Sequence, residues 1–328
     1  MTRIFEGSYK DQDAVILESG DARAVLLPRW GAKLASFLHK PTGTETLWQN
    51  PGKAYLKTAY GDSFGKAEFS GSDEMFPTIS RCFYEGEPWA GVEAPDHGEV
   101  WTLPWEHRIS EGSLMMSVTG VRFPYTLEKE VSLDGGRLVS RYRATNNSAF
   151  PLDFIWAAHP LFNAAPGMEF VVPAGMDRVV NAVPGPVLTS YGESLDFPEA
   201  RPRGRQPVRL DRMPAMNGTG WQKYWFAGPV TEGWCMLRHP EPALTVGMAW
   251  PKEKVPYLGM WLNEGGYAGQ YNIAPEPATA AMDRIDFSKM WGMGSTLAPM
   301  SSHEWHLAIA LAEGKRPSGM DEAGAFTY

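Results

Sequence analysis

The chain has 328 residues, of which 43% are hydrophobic and 21% charged, and 30 Lys plus Arg stand against 38 Asp plus Glu for a net charge of −8. This composition excludes intrinsic disorder as the main state, and the acidic balance argues against a nucleic-acid partner, whose phosphates need a basic face. There is no run of 18 apolar residues and no basic amphipathic stretch, so no membrane partner is expected.

Glycine (34) and proline (27) punctuate short apolar and aromatic runs, the pattern of many short strands. The first predicted strand is 21–27, where Ala22, Ala24 and Leu26 alternate with Asp21, Arg23 and Val25. After the turn Pro28-Arg29-Trp30-Gly31 a second follows at 32–38, and a third at 114–121. The clearest local element is a hairpin. Leu127, Lys129, Val131 and Leu133 share one parity, Asp134-Gly135-Gly136 supplies the positive φ of a tight turn, and Leu138, Ser140, Tyr142 and Ala144 share one face of the return strand. Further strands are expected at 168–172, 179–183, 221–226, 233–238, 243–250, 257–262 and 305–311, with few helices. The stretch 184–216, rich in Pro, Gly, Asp and Arg, is expected to be an irregular excursion anchored by Leu195, Phe197, Val208 and Leu210. This spacing predicts an all-β fold, a large antiparallel sandwich, built as one domain over 1–328.

Residues 1–10 lack the basic and apolar regions of a signal peptide, and Cys82 and Cys235 make no disulfide framework, so a cytoplasmic location is expected. Gly292-Met293-Gly294-Ser295 lacks the ending of a phosphate-binding loop, and there is no Gly-x-Ser-x-Gly elbow. His303 and His306 would point to opposite faces of a strand, with no Cys, Asp or Glu cluster to complete a metal site. Asn146-Asn147-Ser148 and Asn217-Gly218-Thr219 are expected to be turns. No metal and no cofactor is expected.

Three segments carry a resemblance. Tyr142 to Ser148 leads into Ala158-His159-Pro160-Leu161-Phe162-Asn163; Asp96-His97-Gly98-Glu99 lies upstream; and Tyr271-Asn272-Ile273-Ala274-Pro275-Glu276-Pro277-Ala278-Thr279 follows. In this order they resemble the His-Pro-x-Phe-Asn, upstream His-Gly and late Glu-Pro segments of the aldose 1-epimerase (galactose mutarotase) family, and the likeness spans nearly the whole chain. It implies a β-supersandwich with an open cleft on one sheet. It also implies roles: His159 protonates the ring oxygen of a sugar, Glu276 removes the anomeric hydroxyl proton, and His97 helps to hold the sugar. Asp96 is expected to orient His97. Gly71 to Arg81 resembles a cleft-lining segment, in which Arg81 is a candidate donor to sugar hydroxyls.

The chemistry of the residues agrees with those roles. Anomer exchange needs one base at O1 and one acid at O5, which an imidazole and a carboxylate supply without a metal. The prolines on either side of Glu276 predict a rigid strand end or edge. Trp225, with Trp250 and Trp261 as alternatives, is a candidate for stacking on the ring. The family often has a sugar-binding Asp after the middle loop; Trp221-Gln222-Lys223-Tyr224-Trp225 has none, and Lys223 becomes a candidate contact for an acidic or phosphorylated sugar. The leading expectation is a mutarotase acting on a small sugar, as a monomer or homodimer. The alternatives are a hexose-phosphate mutarotase, a silent sugar-binding protein on the same scaffold, or a polysaccharide lyase or hydrolase domain, for which paired catalytic carboxylates are missing.

Overall fold

The hairpin forms as its alternation predicts. A computed structural model, which describes residues 2–51, 55, 58–314 and 316–328, pairs Tyr125–Asp134 with Arg137–Asn146 in unbroken register from Tyr125 opposite Asn146 to Asp134 opposite Arg137. Gly135 takes φ 55° in the turn. Leu127, Val131, Leu133, Leu138, Tyr142 and Ala144 are buried on one face.

Two antiparallel sheets carry the molecule among the described residues. The larger has 13 strands. Its main path runs Arg3–Tyr9, Gln12–Glu18, Ala22–Leu27, Lys33–His39, Ser72–Met75, Ala157–Pro160, Tyr271–Ala278, Tyr257–Glu264, Trp221–Phe226, Arg178–Val183 and Ser194–Asp196. The smaller has eight, in the order Glu169–Val171, Trp234–Arg238, Leu244–Ala249, Ser302–Glu313, Arg137–Asn146, Tyr125–Asp134, Ser113–Thr119 and Glu106–Ser110. One hydrophobic core runs between them, holding Trp156, Tyr125, Phe76 and Phe154 without measurable exposure beyond 1%. A single short α-helix is described, Ile285–Met290, with 3-10 turns at Phe64–Lys66 and Val100–Thr102, and no described helix is long and apolar enough to cross a membrane.

Glu74 is a polar tie across this core. Its Oε1 accepts from Lys129 Nζ at 2.7 Å and from the Tyr142 hydroxyl at 2.9 Å, and its Oε2 accepts from the Trp156 indole at 3.0 Å. The alternation placed Lys129 on the apolar face, and Glu74 is the partner that lets a lysine remain there.

Several expectations need adjustment. The edge strand Arg3–Tyr9 was not foreseen, because its exposed residues carry no apolar alternation. The 184–216 stretch contains the short strands Ser194–Asp196, Glu199–Ala200 and Val208–Arg209. Its anchors hold: Leu195 and Leu210 are buried, and Phe197 and Val208 pack against the core. The strand bearing Glu276 is not an edge. It pairs along its full length with Tyr257–Glu264. Its other neighbour is broken, pairing at Ala157 with Ala278 and again at Phe162 with Ile273. That gap in the ladder accommodates Pro275 and Pro277, which have no N–H to donate, inside a sheet.

Candidate functional site

The register of the large sheet lines up a row of polar side chains. Asp73 pairs with His159. Extending the Leu34–Ser72 pair by one residue sets Lys33 opposite Asp73, and extending the Ala157–Ala278 pair by two sets Glu276 opposite His159. Glu276 pairs with Gly259, and Gly259 with Trp225. Directly opposed residues share a face. Lys33, Asp73, His159 and Glu276 therefore cross four adjacent strands as one line. Lys223, two residues before Trp225 on the same face, reaches back to the Glu276 carboxylate. A cation closes each end, and the imidazole stands between the two carboxylates.

The right-hand part of this row floors a cleft of about 200 Å³ lined by Phe64, His97, His159, Lys223, Trp261 and Glu276, among others. His159 Nε2 lies 3.8 Å from Glu276 Oε1, and both side chains are at least nine-tenths buried. Burial is the main force that pushes the His159 imidazole well below its ordinary titration range; the nearby His97, Lys223 and Lys33 push the same way. Burial likewise raises Glu276, against the opposing pull of Lys223. Burial alone would lower Lys223, but Asp283 and Glu276 outweigh it and hold the ammonium charged. Lys223 Nζ is 3.8 Å from Asp283 Oδ1, which also accepts from the Trp225 indole at 2.9 Å.

His97 comes from a tight turn. His97 and Gly98 both have positive φ, 59° and 75°, and Gly98 bridges to Phe76. The imidazole stacks on Phe64, with centroids 3.9 Å apart and planes 6° from parallel. Its Nδ1 lies 3.0 Å from Asp96 Oδ1. Burial would raise the Asp96 carboxyl, but the hydrogen bond and charge of His97 and two donors from 63–64 bring it below its ordinary value. An ionised carboxylate can only accept, so His97 carries its proton on Nδ1, and the residue lines the cleft. The opposite wall is aromatic: Trp261 lies 5.5 Å from both Trp221 and Tyr267.

The structure thus gathers His159, Glu276, His97 and Lys223 at the cleft, with Asp96 behind His97. It does not bring Arg81 there. That guanidinium is mostly exposed, is paired with Glu93, and is not among the residues lining the cleft. Nor does Trp225 stack in the cleft. It is fully buried, because the turn carrying Met282 and Asp283 at positive φ brings Asp283 onto its indole. Trp261 and Trp221, both half-buried, line the cleft instead. Trp221 was legible in principle, since it alternates with Lys223. Asp283 and Phe64 were not, lying in segments without motif or period. The His303 and His306 rings each meet a backbone carbonyl, of Lys254 and Glu322. Among the described residues, no three His, Cys, Asp or Glu side chains gather as a metal site.

Comparison with solved structures places this architecture. A galactose mutarotase-like protein of Lactobacillus casei superposes with TM-score 0.65 at 18% identity, over 91% of this chain and 100% of that one. The chain has the galactose mutarotase-like fold. A protein of Synechocystis superposes with TM-score 0.69 at 16% identity over 94% of this chain and 99% of the other, and a galactose mutarotase related enzyme of Lactobacillus acidophilus with TM-score 0.62 at 12% over 95% and 98%. No family model and no curated protein matches the sequence. At such identities the galactose mutarotase-like fold is what the likeness carries, and function has to be argued from the site.

Proposed function

We propose that this protein is a mutarotase that interconverts the α and β anomers of a neutral monosaccharide. The observation that carries the reading is the His159–Glu276 pair, 3.8 Å apart at the floor of the cleft. O1 and O5 hang on the same anomeric carbon, so an acid and a base serving them must be close neighbours. One member takes the O1 proton while the other protonates O5. The ring opens to the aldehyde, the C1–C2 bond turns, and reclosure on the other face returns both protons.

Burial lowers the imidazole and raises the carboxyl, which brings the two proton affinities toward one another and suits the pair to carry the catalytic proton. The resemblance assigns it to His159 as acid, with Glu276 as base. His97, fixed by Phe64 and Asp96, offers Nε2 to a sugar hydroxyl, and Trp261 and Trp221 supply an apolar wall for a pyranose face. A cleft of about 200 Å³ is below the roughly 300–1,000 Å³ of drug-sized sites, which suits one sugar ring.

The charge arrangement favours a neutral substrate over a phosphorylated one. Lys223, the described lysine in the cleft, is held between Glu276 and Asp283, and Arg81 is paired with Glu93 outside the cleft lining. A glycoside hydrolase would place two carboxylates across the scissile bond, whereas Glu276 and Asp283 are bridged by a lysine.

The test is saturation-transfer NMR of anomeric exchange for glucose, galactose, arabinose, glucuronate and glucose 6-phosphate. Faster exchange of a neutral aldose, reduced about 10²–10⁴-fold in His159→Ala and Glu276→Gln, is expected. Acceleration confined to glucose 6-phosphate would select the hexose-phosphate reading. Binding without acceleration would select a silent sugar-binding protein.

A further inference from the structure

The row across the sheet contains a carboxylate the proposed reaction does not use. Asp73 is 2% exposed, and its Oδ2 accepts from Lys33 Nζ at 2.7 Å. Lys33 also donates to the Ser70 carbonyl at 2.6 Å and lies 3.1 Å from Glu68, so it is anchored independently of Asp73. Asp73 Oδ1 is buried and makes no hydrogen bond. On the next strand, directly opposite and on the same face, His159 Nδ1 is also buried and also makes none. Its other ring nitrogen, Nε2, turns to Glu276 on the strand beyond. One side of the imidazole thus meets the reacting carboxylate, and Asp73 is the carboxylate on the strand at its other side.

Two buried polar atoms left without partners on facing residues are costly apart and compatible together. One is a ring nitrogen that can carry a proton, and the other an oxygen of a carboxylate that burial raises but Lys33 holds toward its ionised, accepting form. The same relation is already formed a few ångströms away, where Asp96 holds the proton of His97 on Nδ1.

We propose that Asp73 is the positioning residue for His159, its free Oδ1 accepting the Nδ1 proton directly or across one water, so that Nε2 is the nitrogen presented to the substrate. In the neutral ring this fixes the tautomer. When the pair takes the catalytic proton, Asp73 stabilises the imidazolium and draws that proton to His159 rather than Glu276. The charged groups around His159 are Asp73 on one neighbouring strand and Glu276 on the other, whose negative charge favours an imidazolium, and His97, Lys223 and Lys33, which push its proton affinity down. The role as a catalytic positioning device rests on the mutarotase reading; the tautomer does not.

The experiment is ¹⁵N NMR of imidazole-labelled full-length protein without sugar, with the His159 signals assigned by loss in His159→Gln. The expected wild-type spectrum has His159 protonated on Nδ1, and Asp73→Ala moves the proton to Nε2. Asp73→Asn keeps an acceptor oxygen and retains the Nδ1 tautomer. Glu68→Gln, which alters the same lysine's surroundings without facing His159, leaves the signals in place. On an accelerated sugar, Asp73→Ala lowers kcat about 10–100-fold with KM little changed, and moves the alkaline limb of the pH–rate profile to lower pH. A wild-type His159 carrying its proton on Nε2 overturns the proposal, even if Asp73→Ala fails to fold. Unchanged signals in a folded Asp73→Ala overturn it as well. An Nδ1-protonated His159 in a protein that accelerates no sugar would sustain the Asp73 contact and remove the mutarotase reading instead.

Discussion

At the scale of single residues, Lys223 is the electrostatic tie of the cleft. It stands between two carboxylates, Glu276 and Asp283, and is 5% exposed. Removing one member of a buried ionic group leaves the others uncompensated, typically at about 3–5 kcal/mol. Lys223→Met should lower the urea unfolding free energy by about that amount and push the Glu276 carboxyl further up. An unchanged unfolding curve would show that the two carboxylates do not depend on this lysine. The His159–Glu276 pair leads to a second expectation. The pH profile of kcat/KM should be a bell, falling on the acid side as the pair takes a second proton and on the alkaline side as it loses its only one. Burial raises Glu276 and lowers His159, so each limb reports the pair and not one residue. A profile with a single limb would mean that only one of the two groups takes part in turnover.

At the scale of elements, the turn that delivers His97 depends on Gly98. A Cβ there would fall 2.0 Å from the Phe76 carbonyl oxygen, and φ is 75°. Gly91, at φ 82°, has nothing within 4 Å of the same position. Gly91→Ala should therefore cost only the left-handed strain, about 1–2 kcal/mol. Gly98→Ala should cost clearly more in chemical denaturation, and should displace the His97 ring from Phe64. Equal losses in the two variants would mean that the bridge to Phe76 yields easily. Elements were also where the sequence was most legible. Strict alternation announced the 125–145 hairpin, including the buried Lys129, and the order of the His-Gly, His-Pro and Glu-Pro segments pointed to His97, His159 and Glu276. Alternation cannot see across strands. Nothing in one segment reveals that Asp73 faces His159 or that Lys223 reaches Glu276, since those relations come from register between distant strands. It misplaced Trp225 for the same reason: the parity was correct, but Asp283 covers the indole from another loop. Two prolines beside Glu276 suggested an edge because the broken neighbouring strand that accommodates them lies over a hundred residues earlier.

At the scale of the whole molecule, stability should depend on pH through groups buried in their neutral form. Burial lowers His239 from 6.5 to about 4. The unfolded chain takes up a proton near pH 6.5 that the folded protein refuses until about pH 4, so this contribution is complete above 6.5 and is lost as pH falls through that window. His159 acts in the same direction. The melting temperature should therefore drop between pH 6.5 and pH 4.5 less steeply in His239→Gln than in the parent protein. Parallel curves would show that His239 is hydrated and titrates normally.

The row from Lys33 to Glu276 has a consequence for how the molecule acquires its site. Its members come from near both ends of the chain, and each is set by a different strand pairing in the large sheet. The cleft draws on residues from Phe64 to Asp283, so no short piece of the polypeptide contains it, and non-local pairings are the slow steps of β-rich chains. Recovery of sugar turnover during refolding should lag behind the return of bulk secondary structure, making catalysis a reporter of the last pairing to close.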